Sequence, residues 1–296
     1  MLFNTHNNSK FAFSLDDNKY DHSNMKAEFD NNNCFGIVGV PFDSTSTYRT
    51  GSRYGPLVVR EASYNFERYN LTFNKSLNVP VLDFGDVEVV PGNFIKTCKK
   101  IESTVQELKD KNFIPILLGG EHSLTYPALK TMEIEDVTVI HLDAHMDLLD
   151  SYMGERYSHA TVMKRVYDLN PEHIIQIGIR SCALEEKIFS NENGIDYYTS
   201  NDVYNNFNNI LTQISRIEGK IYITVDIDVL DPSFAPSSGN PTPGGLNPVQ
   251  VEKIISYLSK KDVIGFDLVE VATNQLGDIT AVNAAKILYD FLCLKS

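Results

Sequence analysis

Residues 137–147 read VTVIHLDAHMD, an apolar, β-branched run that turns abruptly into histidines and aspartates. The apolar half has the composition of a strand buried on both faces. Side chains on a strand alternate faces, so His141, Asp143, His145 and Asp147 would share one face if extended geometry persisted to the end. Crowding such groups is costly unless something neutralises them, and a metal ion is the obvious candidate.

Working outward, five more stretches have this apolar character: 35–40 (FGIVGV), 113–118 (FIPILL), 173–179 (HIIQIGI), 220–228 (KIYITVDID) and 263–270 (VIGFDLVE). Between them the pattern predicts helices over 94–111, 123–132, 159–168, 201–217, 248–260 and 278–294. Continuous apolar strands alternating with amphipathic helices predict an α/β fold with a mostly parallel sheet covered on both faces. Ligand sites in such sheets lie beyond the carboxyl ends of the strands. The polar clusters of this chain fall there.

The length of 296 residues suits one large domain over 34–296, preceded by a polar, Asn-rich arm over 1–33 that could pack on a neighbour. The composition, 42% hydrophobic and 22% charged, is that of a soluble protein, and no apolar run approaches the roughly 20 residues that span a bilayer. The opening MLFNTHNNSKFAFSLDDNKY lacks the basic start and apolar core of a secretory signal, so a cytoplasmic location is expected. Cys34, Cys98, Cys182 and Cys293 are scattered without a CxxC pair and read as free thiols. A net charge of −13 argues against a nucleic-acid partner and favours a cationic substrate or metal ions, although acidity also serves solubility.

GGEHS, 119–123, follows a strand with two glycines that permit a tight turn, and it lacks the lysine of a phosphate-binding loop. His122 alone reads most simply as a satisfied polar residue. In KIYITVDIDVLDPS, 220–233, Asp226 and Asp228 share a strand face, and burying both would raise at least one pKa strongly unless a cation lay between them. A lone DxD also begins many surface loops. Together, His122, Asp143, His145, Asp147, Asp226 and Asp228 offer two imidazoles and four carboxylates from three strand ends. One divalent ion does not need so many, whereas two ions sharing bridging carboxylates would use them all. Such mixed ligands without thiolate suit Mn²⁺ or another harder first-row ion better than a structural zinc.

The motifs GGEHS (119–123), DAHMD (143–147), SHAT (158–161), DIDVLDPSFAP (226–236) and GFDLVEVA (265–272) resemble, in order and spacing, those of the ureohydrolases, the arginase and agmatinase superfamily. STYRTGSRYGPLVVREAS (46–63) and NPTPGGL (240–246) look like the agmatinase branch, and the resemblance covers roughly residues 35 to 294. It implies a three-layer α/β/α sandwich around a mostly parallel, eight-stranded sheet, with two Mn²⁺ ions per chain. Carried over by motif, His122, Asp143, Asp147 and Asp226 would hold one ion. Asp143, His145, Asp226 and Asp228 would hold the other, with Asp143 and Asp226 bridging. His141 falls outside this set and is expected one layer back.

The resemblance implies hydrolysis of a guanidinium group by metal-bound hydroxide. Asp147 would orient the hydroxide, His159 would pass a proton to the leaving amine, and Glu270 would pair with the guanidinium. His159 could instead merely contact backbone at a helix start, and Glu270 could be a buried structural carboxylate. Arginases read the amino-acid head group with polar residues, including an asparagine soon after DxHxD. Here Leu148 and Leu149 follow Asp147, and Ser181 and Cys182 follow IGIR. Agmatine, cleaved to urea and putrescine, fits better. Guanidinobutyrate, arginine or formiminoglutamate would need a cationic reader, for which Arg49, Arg53 and Arg180 are candidates.

Two departures from the agmatinase pattern stand out: Glu121 where many members carry aspartate, and Asn240 and Pro243 in a loop expected to shape the pocket. Family members are commonly trimers or hexamers, so a homo-oligomer is expected. An inactive metal-binding paralogue should have lost a ligand, and none is missing. An aspartyl phosphatase would explain DIDVLDPS but neither DAHMD nor GGEH.

Overall fold

The structure is a computed structural model and describes residues 2, 4–6, 9–15 and 33–296. Its strands are β1 (Thr5–His6), β2 (Phe35–Val40), β3 (Tyr69–Asn70), β4 (Lys75–Ser76), β5 (Val81–Val87), β6 (Ile114–Gly119), β7 (Val137–Leu142), β8 (His173–Ile179), β9 (Asp196–Thr199), β10 (Lys220–Asp226) and β11 (Asp262–Val269). Nine of them form one sheet in the order β1-β5-β2-β6-β11-β10-β7-β8-β9, while β3 and β4 pair separately. The eight strands from β5 to β9 in that order run parallel, and β1 adds a short antiparallel edge.

Alternation explains the three layers. Ile116 and Leu118 of β6, Ile140 and Leu142 of β7, and Ile221, Ile223 and Val225 of β10 enter one apolar core, which helices Gly55–Ser63, Ser200–Arg216, Pro248–Leu258 and Ile279–Lys295 complete. Leu117, Val137, Val139 and Tyr222 face the opposite core beneath helices Phe94–Asp110, Thr125–Leu129 and Val162–Tyr167. Both faces are therefore covered, as the near-continuous apolar strands require.

All six predicted strands form, with ends displaced by at most two residues. The predicted helix over 123–132 is shorter: a 3₁₀ turn at His122–Leu124 runs into helix Thr125–Leu129. Likewise His159–Thr161 is a 3₁₀ turn before helix Val162–Tyr167. Strands β5 and β9 and the helices Gly55–Ser63 and Leu184–Glu192 are additions. Of the expected arm, residues 1, 3, 7, 8 and 16–32 lie outside the described residues. Thr5 and His6 pair with β5, and Phe11 is buried.

Strands β6, β11, β10 and β7 are consecutive neighbours at the centre of the sheet, and level in register where Val225 faces both Leu142 and Leu268. Their carboxyl ends deliver, side by side, the segments beginning at Gly120, Glu270, Asp226 and Asp143.

Candidate metal centre

The ends of β6, β7 and β10 bring all six predicted ligands together, and that of β11 adds Glu270. His122 Nδ1 lies 3.1 Å from Asp143 Oδ2, 3.3 Å from Asp147 Oδ2 and 3.5 Å from Asp226 Oδ2. His145 Nδ1 lies 3.1 Å from Asp228 Oδ2 and 3.3 Å from Asp143 Oδ1. Asp143 thus presents one oxygen to each histidine. Ligand atoms fall into two groups of metal-binding size that share Asp143, one with His122, His141 and Asp147, the other with His145 and Asp228. Asp226 Oδ1 accepts the Asp228 N–H at 2.8 Å, leaving Oδ2 turned toward His122.

The residues fit metal ions on an internal observation. Thr224 Oγ1 lies 2.6 Å from Asp267 Oδ1 and gives it the hydroxyl proton, so Thr224 accepts from His122 Nε2–H at 2.8 Å. His122 Nδ1 is then the ring atom aimed at three carboxylates, buried and without a well-formed hydrogen bond, and without metal those carboxylates outweigh burial and hold the imidazole well above its ordinary range. A cation between them resolves that conflict.

His141 is fixed differently. Gln176 Nε2 donates to the Met146 carbonyl at 2.7 Å, which orients the amide, and it also lies 2.9 Å from His141 Nδ1. His141 Nδ1 must accept there, so its Nε2–H donates to Asp143 Oδ2 at 2.8 Å. The ring sits in the cluster yet turns a proton toward it, as a support for Asp143.

In the protein without metal, burial pushes the Asp226 carboxyl far above its usual range, with Asp228 and Asp143 adding to the rise. Burial likewise lifts Asp147 to about 7, helped by Asp143, and Glu270 to about 8, helped by Glu121. Burial opposes charge on His145, but Asp228 and Asp143 outweigh it and carry the imidazole to about 12. His159 falls to about 4 through burial and the neighbouring His145 and His122. Carboxylates this crowded cannot all ionise without countercharge.

Asp147 and Glu270 also share a backbone feature: φ is 55° at Asp147 and 65° at Glu270, a left-handed conformation that costs such residues energy and clusters at functional sites. The Glu270 carboxylate accepts the His122 N–H at 2.8 Å, and the Glu270 N–H donates to Gly120 O. At Gly120 an added Cβ would lie 2.3 Å from Val40 O and 2.5 Å from Phe42 O. Its role is the close passage of backbone that the tight turn requires.

A cavity of about 600 Å³ opens above the cluster, with Asp147, His159, Glu270, Tyr152, Glu186 and Asn240 on its walls. The three candidate cationic readers are absent from its lining. Arg180 donates to the carbonyls of Thr242, Gly178, Asp228 and Leu230, Arg53 pairs with Asp43 at 2.6 Å, and Arg49 Nη1 donates to Pro236 O. The adjacent segment contributes Asn240, Pro241 and Thr242, while Pro243 is not in the wall.

Sequence reasoning missed Glu186 and Thr45. Glu186 is buried at the cavity wall and accepts the N–H groups of Leu148 at 2.8 Å and Ala183 at 2.7 Å, with no ion pair among the described residues. The acidic pair after Ala183 marks a helix start, which hid this role behind a capping signal. Thr45 lies in a loop with no signature. Glu121 accepts from Thr45 N–H, Thr45 Oγ1 and Ser123 Oγ.

A nearly all-parallel α/β/α sheet with two histidines and four aspartates gathered at its central carboxyl ends defines a hydrolase class whose cluster fits two metal ions. Residues 33–293 match the model of the arginase family. An uncharacterised protein of Methanothermus fervidus is 54% identical over 96% of this chain and 97% of its own. N(1)-aminopropylagmatine ureohydrolase of Thermococcus kodakarensis is 40% identical over 86% of this chain and 88% of its own. The crystal structure of agmatine ureohydrolase of Thermoplasma volcanium, 33% identical, superposes with a TM-score of 0.86 over 98% of this chain and 95% of that one. The chain belongs to the arginase family and is an amidinohydrolase.

Proposed function

We propose that the protein hydrolyses agmatine to urea and putrescine, using two Mn²⁺ ions held by His122, Asp143, Asp147, Asp226, His145 and Asp228. When bound, the ion pair lowers the pKa of water and so supplies a nucleophile near neutral pH. Asp147 would accept a hydrogen bond from the attacking water and orient it. Glu270 receives the guanidinium N–H groups through charge-assisted bonds. Water would add to the guanidinium carbon and the bond from that carbon to the alkyl nitrogen would break; both protons of the added water end on the departing amine, and His159 relays the one that releases it.

The observation that carries the substrate assignment is the charge of the cavity. Asp147, Asp226 and Asp228 in its wall would be offset by the ions they hold, which leaves Glu270 and Glu186 as the remaining wall charges, and no lysine or arginine among the described residues lines it. A substrate cationic at both ends matches this wall, with Glu186 left for the distal ammonium, whereas a distal carboxylate would find no partner. A second reading, a longer aminoalkyl agmatine, is favoured by an adjoining cavity of about 500 Å³ that shares Thr47, Tyr152 and Met153 with the first. The Thermococcus relative above takes its name from such a compound.

Urea release with Mn²⁺ supplied, compared across agmatine, N(1)-aminopropylagmatine, arginine and guanidinobutyrate, tests both. Agmatine should lead; faster turnover of the aminopropyl compound would select the second reading, and turnover confined to a carboxylate-bearing guanidine would overturn both. We also assign residues 34–296 to one catalytic domain that works in the cytoplasm as a homo-oligomer. Among the described residues no helix is long and apolar enough to cross a membrane.

A further inference from the structure

A proton carrier is readier when one ring nitrogen is kept free for the transfer, and a loop remote in sequence reaches the other nitrogen of His159. Thr45 Oγ1 lies 3.3 Å from His159 Nδ1 and 3.4 Å from the His159 backbone nitrogen. The same hydroxyl lies 2.9 Å from Glu121 Oε1, and the Thr45 N–H donates to Glu121 Oε2 at 2.8 Å. Ser123 Oγ supplies Glu121 with another donor at 2.7 Å. A carboxylate surrounded by donors accepts, so the single hydroxyl proton of Thr45 goes to Glu121. Only lone pairs remain on Thr45 Oγ1 for His159, whose Nδ1 must therefore carry the ring hydrogen. The ring of Tyr152 packs against the imidazole at 5.6 Å, nearly perpendicular, and restricts its rotation.

We propose that Thr45, clamped by Glu121, is a positioning residue that fixes His159 as the Nδ1–H tautomer and leaves Nε2 as the proton-transferring atom. This rests on the reading of His159 as the carrier of the leaving-group proton. It also accounts for the glutamate of GGEHS, since both its oxygens hold one threonine, through backbone and side chain together.

The test is a double-mutant cycle of Thr45→Val and His159→Asn, with Thr45→Ser as the conservative variant. Thr45→Val should lower kcat about tenfold, part of the 10²–10⁴ that acid–base catalysis contributes, with KM and bound metal unchanged. Thr45→Ser, which keeps the hydroxyl, should restore most of the rate. In the His159→Asn background, Thr45→Val should have no further effect. Nitrogen-15 NMR of histidine-labelled metal-free protein gives a readout independent of turnover. The His159 signals, identified by their loss in His159→Asn, should show hydrogen on Nδ1 in the wild type and a tautomer mixture in Thr45→Val. Equal losses from Thr45→Val with and without His159, or an unchanged tautomer, would overturn the proposal while His159 keeps its role. Full kcat in His159→Asn would overturn the carrier reading itself and the positioning with it.

Discussion

Stripping the metal should make the folded chain lose stability as pH rises from 6.5 to 8. Glu270, lifted to about 8 by burial and Glu121, keeps a proton through most of this window that an unfolded glutamate has already lost. His145, at about 12 because Asp228 and Asp143 outweigh its burial, keeps one that an unfolded histidine sheds near 6.5. For both, the folded pKa is the higher, so the native state binds more protons and stability declines with pH. Asp147, at about 7, adds to the same slope at the lower end. His141 and His159, whose pKa values are lowered, are largely neutral in both states here and contribute little.

Each group that holds its proton across the window costs about 2 kcal/mol, taking about 1.4 kcal/mol per pH unit. Glu270 and His145 together give about 4 kcal/mol. With an unfolding entropy of about 2.1 cal/mol/K per residue over 296 residues, these two alone should lower the melting temperature by about 6 °C, and the raised Asp226 and His122 act in the same direction. Divalent ions held by the cluster would displace the protons of the ligands and disfavour the one on nearby Glu270, so protein loaded with added Mn²⁺ should lack the decline and the gap between the two forms should widen with pH. Melts followed by circular dichroism, with EDTA or Mn²⁺ at both pH values, measure this. A metal-free protein whose melting temperature stays level or rises toward pH 8 would refute the crowding argument.

Asp228→Ala removes the carboxylate 3.1 Å from His145 Nδ1 and should abolish urea release and lower the metal content; two ions per chain retained by mass spectrometry would sink the ligand assignment. Gly239→Ala would place a Cβ 2.6 Å from Glu270 Oε2, and the displaced carboxylate should reduce kcat/KM about tenfold or more with metal content unchanged. Arg60→Met would leave Asp83 buried without the guanidinium that holds it and take the same partner from Asp86, for an expected loss of about 3–5 kcal/mol in urea unfolding; a loss under about 1 kcal/mol would contradict it.

The last substitution shows where the sequence was opaque. Strand β5, VLDFGDV, carries two aspartates that break its apolar run, and they are tolerated inside because Arg60, fully buried on helix Gly55–Ser63, reaches both. That compensation comes from another element, which periodicity within one strand cannot register. The edge strand β9, DYYT, is short and only half buried, so little patterning was demanded of it. The central strands were legible because burial on both faces constrains every residue in them.

The site was legible for a related reason and blurred for another. Polar residues at the ends of apolar strands mark the functional edge of a parallel sheet, and β6, β7, β10 and β11 all end so. Face alternation then included His141 with the aspartates, and the geometry explains why alternation is insufficient. The regular strand stops at Leu142, and by Asp147 the backbone is left-handed, so Asp143, His145 and Asp147 converge by a bend and not by strand period. His141 does lie on the side of Asp143, but the amide of Gln176 on the neighbouring strand decides its proton and turns it from a ligand into a donor. Which atom of a histidine faces a metal is thus settled across the sheet, between residues 35 positions apart, and no local motif contains that information.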